Sequence, residues 1–275
     1  MYYCAQALGR AGLECALYGF DSIPAGGLAT KCTALSGCIA NSRAVILPVP
    51  LSKDGIYLDT SNVPIKLSDV FSKIPEEAPV FAGAVNGKAK KCAEEFGITL
   101  YDYMTDECLA RKNAYATAEG AIMLAMQYCS KTLKDTSFLV CGYGRIGGYT
   151  AKLLKGFGAK VTVLARREIS RVEAETDNLE SISPEKLADK ISGYECIINT
   201  VPENIFTEKE LSKMSLEQIY IELASAPYGV SGKLAAGYNI EIVNGAALPS
   251  RYCPESGGEF IAEILLRELE RSGII

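Results

Sequence analysis

The stretch 137-SFLVCGYGRIGGYTAKLLKGFGAKVTVLARR-167 decides how the rest of the chain is read. Ser137 to Cys141 is a short run of β-prone and apolar side chains, the signature of a buried strand. Gly142-Tyr143-Gly144-Arg145-Ile146-Gly147 follows, then a helical run, then a second strand from Lys160 to Leu164. Strand, glycine turn, helix and strand at this spacing make a dinucleotide-binding unit. A lone GxGxxG is weak, because glycine turns are common; here the strand before it and the helix after it supply the context the motif requires. Gly142 permits the tight turn, Gly144 lets the backbone approach a pyrophosphate, and Gly147 lets the helix sit close on the strand. Amides at the helix start, with the positive dipole end, then hold the phosphates.

The end of the second strand bears on which dinucleotide is bound. Sites for NAD place Asp or Glu there, about 20 residues past the glycines, to bind the ribose 2′-hydroxyl. Here the strand runs into Ala165-Arg166-Arg167, and the first acid is Glu168. Two guanidinium groups suit a 2′-phosphate through bidentate, charge-assisted hydrogen bonds. The sequence therefore points to NADP, with NAD the less favoured cofactor.

A chain of 275 residues is long for one ordinary core and suggests two domains. Its 48% hydrophobic and 22% charged content is that of a soluble globular protein. A net charge of −5 offers no overall basic field for nucleic acid or an anionic membrane. No apolar run approaches the ~20 residues that span a bilayer, and no signal-peptide pattern opens the sequence. The ten cysteines include no CxxC pair, and several fall in strand or helix patterns as small hydrophobes. Reduced thiols in a cytoplasmic protein and no metal site are expected. With no histidine in the chain, Ser-His-Asp and Cys-His chemistry is excluded. Proton transfer must fall to Glu, Asp, Lys, Tyr, Cys, substrate or water.

Taken in order, the pattern is α/β: two Rossmann-like, doubly wound parallel-sheet domains joined by a long helix. Residues 1–105 read as a first α/β domain, with strands at Glu14–Tyr18, Ala44–Val49, Pro79–Ala84 and Ile98–Asp102 and a helix from Gly87 to Phe96. The chain opens in a helix closed by Gly12, where such a domain normally opens with a strand, and truncation at the start is the expectation. Residues 106–132 read as the connecting helix, whose apolar stretch at Ile122, Leu124, Ala125, Met126 and Tyr128 is expected to be buried between domains. Residues 133–250 form the NADP-binding Rossmann domain, with further strands at Glu195–Thr200, Gln218–Leu223 and Glu241–Val243. Residues 251–275 form an amphipathic helix, with Ile261, Ile264, Leu265 and Leu269 at helical spacing, which closes the Rossmann domain or crosses back to the first. Ligands in such sheets lie at the carboxyl ends of strands. That places Asn199, Thr200, Ser225 and Pro227 near cofactor and substrate, with Thr200, Val201 and Pro202 beside the cofactor.

Several pieces together resemble one family: Tyr18-Gly19-Phe20-Asp21, Leu47-Pro48-Val49, Phe81 through Asn86, NAYATAEGAIML from Asn113 to Leu124, the glycine motif with Ala165-Arg166, Asn199 through Pro202, and Leu223-Ala224-Ser225 with Pro227 and Gly229. The order and spacing are similar to those of the A subunit of dipicolinate synthase, and the resemblance covers nearly the whole chain. It implies a two-subunit oxidoreductase of sporulating bacteria, cytoplasmic in the mother cell. This chain would be the NADP-dependent dehydrogenase half and a flavoprotein-like B subunit the partner; a homodimer is also compatible with it. The product implied is pyridine-2,6-dicarboxylate, formed from a tetrahydrodipicolinate-type intermediate of the lysine pathway. Two departures stand out. A first strand and a glycine-containing turn with Asp and Arg would precede Met1, and Ala226 stands where a polar residue is expected before Pro227.

For such a dehydrogenation the aromaticity of the product supplies much of the driving force. The protein must mainly hold a ring carbon against the nicotinamide and fix two carboxylates. Glu119, beside Thr117 and Asn113, is the expected acid/base cluster, because a buried Glu can have a raised pKa. The bland reading, that these are ordinary first-turn and cap residues, stands beside it. Asn86 and Ser225 are candidates for contacts to the substrate, and Arg145 for the pyrophosphate. Two rival readings remain: another small-carboxylate NADP dehydrogenase, such as a 2-hydroxyacid or alanine dehydrogenase relative, which the absence of His argues against, and a non-catalytic nucleotide-binding subunit.

Overall fold

Every strand pairing within the sheets is parallel, as continuous apolar strands alternating with helices lead one to expect. The computed structural model describes residues 1–20, 23, 26–60 and 64–275, so Asp21, the last residue of the Tyr18-Gly19-Phe20-Asp21 motif, lies outside the described residues. Those residues fall into two units, one of residues 1–112 with 254–275 and one of residues 113–253.

The first unit runs through α1 (Tyr2–Arg10), β1 (Cys15–Leu17), β2 (Ala29–Lys31), α2 (Leu35–Ile39), β3 (Val45–Ile46), α3 (Leu67–Phe71), β4 (Val80–Ala82), α4 (Gly87–Glu95) and β5 (Leu100–Asp102). β1 pairs with β2, and β3, β4 and β5 form a three-stranded sheet in that order. The apolar run Val80-Phe81-Ala82 is buried on both faces because successive side chains alternate. Val80 and Ala82 face Leu47, Leu67, Val70, Phe71, Ala89 and Ala93. Phe81 faces the opposite cluster, with Cys4, Leu8, Tyr103 and Leu109. β3 is shorter than the expected Ala44–Val49, but Leu47 N–H still donates to the Phe81 carbonyl at 2.7 Å and Gly83 N–H to that of Pro48 at 3.1 Å. The prolines shorten the strand because they carry no N–H to extend the ladder.

α5 (Glu107–Tyr128) starts in the first unit and ends in the second. Ile122, Leu124 and Ala125 are buried with Phe138, Val140, Ala151 and Leu154 of the second unit. Met126 and Tyr128, read with them as one buried stretch, are exposed. They lie off the helical stripe that faces the sheet, so an apolar run of this length does not bury all its members.

The second unit continues through β6 (Ser137–Cys141), α6 (Arg145–Gly156), β7 (Lys160–Leu164), α7 (Glu168–Thr176), β8 (Glu180–Ile182), α8 (Leu187–Lys190), β9 (Cys196–Asn199), α9 (Glu208–Leu211), β10 (Ile219–Glu222), α10 (Gly232–Gly237), β11 (Ile242–Asn244) and α11 (Leu248–Tyr252). Its six strands lie in the order β8-β7-β6-β9-β10-β11. Counted from the first strand of the unit this is 3-2-1-4-5-6, the order of dinucleotide-binding sheets, with the switch point between β6 and β9. Phe138 and Val140 bury on one face, Leu139 and Cys141 on the other.

α12 (Pro254–Arg271) belongs to the first unit. Its stripe of Ile261, Ile264, Leu265 and Leu269 is buried with Cys4 and Leu8 of α1, each such burial contributing about 1.5–3 kcal/mol relative to exposure. Gly258 makes the approach possible, since a Cβ there would lie 2.6 Å from the Cys4 nitrogen.

Candidate functional site

The carboxyl end of β6 is built around three glycines that do different work. Gly142 has φ +93°, and a Cβ there would lie 2.7 Å from Thr200 Oγ1 and 2.9 Å from Val201 Cγ2. A side chain is excluded both by the left-handed backbone and by the neighbouring strand end. At Gly147 a Cβ would lie 2.2 Å from the Gly142 carbonyl oxygen, so α6 packs on the turn only because the residue has none. Gly144 differs, since nothing lies within 4 Å of where its Cβ would be. It is also the N-cap of α6, a position from which no side chain satisfies the helix amides. The turn thus ends in open space bordered by the first N–H groups and the positive end of a 12-residue helix. That is the form of a phosphate cradle, and the residues present fit a dinucleotide pyrophosphate.

Of the other turn residues, Ile146 is half-buried and Arg145 exposed. The Tyr143 hydroxyl donates to Asp177 at 2.5 Å, and Asp177 also pairs with Lys152 Nζ at 2.8 Å. Lys152 first and Tyr143 second hold the Asp177 carboxyl below the usual carboxylate range. Burial, then the bond to Asp177, pushes the Tyr143 phenol up. Tyr143 thereby ties the turn to the end of α7.

At the end of β7, Ala165 is buried and three arginines gather. Arg171 Nη1 donates to the carbonyls of Ala165 and Arg166, each at 2.9 Å, which sets the course of the chain between β7 and α7. Arg167 reaches Ser170 Oγ at 3.2 Å. Arg166 Nη1 lies 2.9 Å from Glu203 Oε2, across from the loop after β9. Across the switch point, Thr200 Oγ1 donates to the Cys141 carbonyl at 2.7 Å, Val201 is half-buried, and Pro202 is exposed.

Behind this crevice sits a buried polar cluster that the sequence reading did not assemble. Glu222 ends β10 directly opposite Asn199 at the end of β9, and both are buried. Its carboxylate accepts from Asn199 Nδ2 at 2.7 Å, from the N–H of Ala224 at 2.9 Å, from the N–H of Gly229 at 2.8 Å and from the Tyr220 hydroxyl at 3.2 Å. Asn199 also donates to the Val201 carbonyl and accepts from the Val201 N–H. A Cβ at Gly229 would lie 2.4 Å from both Asn199 Nδ2 and the Tyr220 oxygen. One carboxyl group therefore holds the loops after β9 and β10 in register, and each donor removes part of the cost of burying it. The available signal was a lone acid closing the apolar run QIYIEL. Asn199, read as a ligand neighbour, has its amide engaged within this cluster.

The residues expected to perform acid/base chemistry do not form one cluster. Asn113 and Thr117 sit one helical turn apart on α5, where the Thr117 hydroxyl donates to the Asn113 carbonyl at 2.7 Å. Glu119 is two residues beyond Thr117 and therefore emerges on a different face. It is also exposed, where a buried position was expected. Its charge instead helps burial raise the pKa of Cys253. Asn86 proves to be the N-cap of α4: its Oδ1 accepts from the N–H groups of Lys88 and Ala89, and its Nδ2 donates to the Ser52 carbonyl at 2.7 Å. Both ends of that amide are engaged within its own unit. Ser225 is exposed on the loop held by Glu222, and its carbonyl accepts from the Tyr228 N–H at 3.1 Å. Among the described residues there is no group of three or more metal-ligating side chains, and no helix is long and apolar enough to cross a membrane.

Comparison with known proteins agrees with this division. Residues 1–104 match the family model of the N-terminal domain of the dipicolinate synthase A subunit. Residues 109–249 match that of the D-isomer specific 2-hydroxyacid dehydrogenase, NAD binding domain. The second unit is thus kin, in its NAD-binding domain, to one of the two rival classes that the sequence leaves open, while histidine-based chemistry stays excluded by composition. The chain is 28% identical over 257 residues to the dipicolinate synthase A subunit of Bacillus subtilis (strain 168), covering 92% of this chain and 86% of that protein. The crystal structure of the dipicolinate synthase A subunit from Bacillus halodurans superposes with a TM-score of 0.86 at 27% identity, covering 97% of this chain and 93% of that one. A transhydrogenase from Sinorhizobium meliloti shares the fold at a TM-score of 0.74 and 15% identity, covering 98% of this chain and 88% of that one. Through residues 109–249 the chain belongs to the family of the D-isomer specific 2-hydroxyacid dehydrogenase NAD binding domain, and over nearly its whole length it is similar to dipicolinate synthase A subunits.

Proposed function

We propose that this chain is the NADP-dependent oxidoreductase subunit that forms pyridine-2,6-dicarboxylate from a tetrahydrodipicolinate-type intermediate of the lysine pathway. It would act in the cytoplasm of a sporulating mother cell beside a flavoprotein-like B subunit. The observation that carries the reading is the glycine turn at the switch point of a 3-2-1-4-5-6 sheet, open at Gly144 and closed at Gly142 and Gly147. The similarity to dipicolinate synthase A subunits supports the choice of product. The absence of an acid at the end of β7, with Arg166 and Arg167 in its place, supports the phosphorylated cofactor.

In this reading the amides opening α6 would hold the pyrophosphate and Arg166 and Arg167 the 2′-phosphate; the cofactor would supply a hydride acceptor, and the four hydrogens lost from a tetrahydropyridine would consume two NADP⁺ in turn. Glu222 keeps the loop bearing Ser225 in place, so that its hydroxyl can meet a carboxylate of a small planar substrate. Orientation is the chief contribution required of the protein when the product gains aromaticity.

The test is turnover. The chain is mixed with NADP⁺ and freshly made tetrahydrodipicolinate, with and without the B subunit, and cofactor reduction and pyridine dicarboxylate absorbance are followed together. Coupled appearance of both supports the proposal. Stoichiometric NADP⁺ binding without turnover in either mixture would instead favour a non-catalytic nucleotide-binding subunit, which is consistent with the separation of Glu119 from Asn113 and Thr117.

A further inference from the structure

The contact between Arg166 and Glu203 lies where the proposed cofactor must pass. Arg166 follows β7 and Glu203 follows β9, and these strands flank β6 on either side. Strands two places apart in a sheet lie roughly 10 Å from each other. The ion pair, at 2.9 Å, therefore spans the carboxyl end of β6, on which the glycine turn is mounted. Arg167 is turned to Ser170, and Arg171 is bound to two backbone carbonyls. Arg166 is thus the cation at this strand end that faces an anion from across the sheet.

We propose that Glu203 is a specificity-determining residue: an internal anion that occupies Arg166 and must be displaced by the 2′-phosphate of NADP. The inference rests on the reading of this crevice as an NADP site. The pair suits such a role because it is weak. Its side chains are 77% and 56% exposed, and exposed pairs of this kind contribute little to stability. Opening it is therefore cheap for an incoming phosphate. After displacement, however, the Glu203 carboxylate remains near a phosphate that carries up to two negative charges, and that repulsion opposes binding. Glu203 thus lowers NADP affinity without touching the pyrophosphate cradle, and leaves NAD, which has no 2′-phosphate, almost unaffected. It limits the advantage that the arginines confer.

The experiment measures binding of 2′,5′-ADP and 5′-AMP by calorimetry to the full chain, to Glu203→Gln, to Arg166→Ala and to the double variant. Both probes carry the adenosine half and differ at the 2′ position, so the readout is independent of turnover. Glu203→Gln should tighten 2′,5′-ADP about three- to tenfold, leave 5′-AMP within twofold, and lose its effect when Arg166 is already Ala. If Arg166→Ala weakens 2′,5′-ADP but Glu203→Gln changes nothing or weakens it, the competition is wrong while the NADP site stands. If Arg166→Ala changes neither probe, the NADP reading of this strand end fails and the proposal fails with it. Circular dichroism on each variant checks the fold; both positions are exposed, so unfolding is not expected.

Discussion

Two junctions of the molecule have the same plan and opposite contents. In each, a buried parallel strand ends, the chain turns, and a helix begins: β6 into α6 in the second unit, β4 into α4 in the first. The β4 turn saturates itself. Asn86 caps the amides of Lys88 and Ala89, and Asp102 takes the N–H groups of Ala84, Val85 and Met104 at 2.8–3.0 Å. The β6 turn places glycine at the cap position and so gives the amides opening α6 no capping side chain. A strand-to-helix turn can therefore be read by asking whether its donors are satisfied from within. Where they are, the turn is structural; where a glycine withholds the cap, the donors face a ligand.

The comparison can be broken at several points, starting with the largest effect. Gly147→Ala drives a methyl group into the Gly142 carbonyl, 2.2 Å away, and should destabilise the second unit by about 3 kcal/mol, read as a lowered urea midpoint. Gly144→Asp turns the open junction into a self-capped one. Its site is free of clashes, so the midpoint should hold or rise slightly. The carboxylate would occupy the amides, and dinucleotide affinity measured by calorimetry should fall about a hundredfold, as charge-assisted hydrogen bonds are lost. Asn86→Ala performs the opposite change on the other junction: about 1 kcal/mol of stability is lost with the cap, and dinucleotide affinity stays unchanged.

The smallest effect concerns a third helix start. Asp106 caps α5 through the Leu109 N–H at 2.9 Å and meets Arg267 at 2.5 Å. The Leu109 amide first, then Arg267, hold its carboxyl below the usual range. A lowered folded-state pKa means that the contribution is fully present above the unfolded value near 3.8 and is lost as pH falls through the lowered one. Asp106→Asn keeps a good cap and removes the charge. The difference from the parent in urea midpoint should correspond to about 0.5 kcal/mol at pH 7 and close as the pH is lowered below about 4.

How much of this was legible beforehand follows from the range of the interactions involved. The β6–α6–β7 segment is legible to the residue because its strand, glycines and helix are contiguous, and Gly142 and Gly147 answer to local steric demands. The long helix and α12 were readable from period alone. β2, β8, α2 and α7 to α11 are not legible in the sequence, since most are three to six residues long and carry little periodic signal. The Glu222 cluster joins residues from Asn199 to Gly229 and exists only once β9 and β10 pair. Glu119 misled for a related reason. Proximity in sequence suggested a cluster, but two residues along a helix carry a side chain to the far side. Arg166 and Arg167 looked equivalent in the sequence, and only the fold shows that one of them faces Glu203.

The account is tested most directly by titrating NADP⁺ and NAD⁺ into the full chain and into Arg166→Ala/Arg167→Ala in the calorimeter. It predicts tighter binding of NADP⁺ by the parent, by about tenfold or more, with the two cofactors brought level in the double variant. Equal affinities in the parent, or a preference for NADP⁺ that survives loss of both arginines, would contradict the assignment of this strand end.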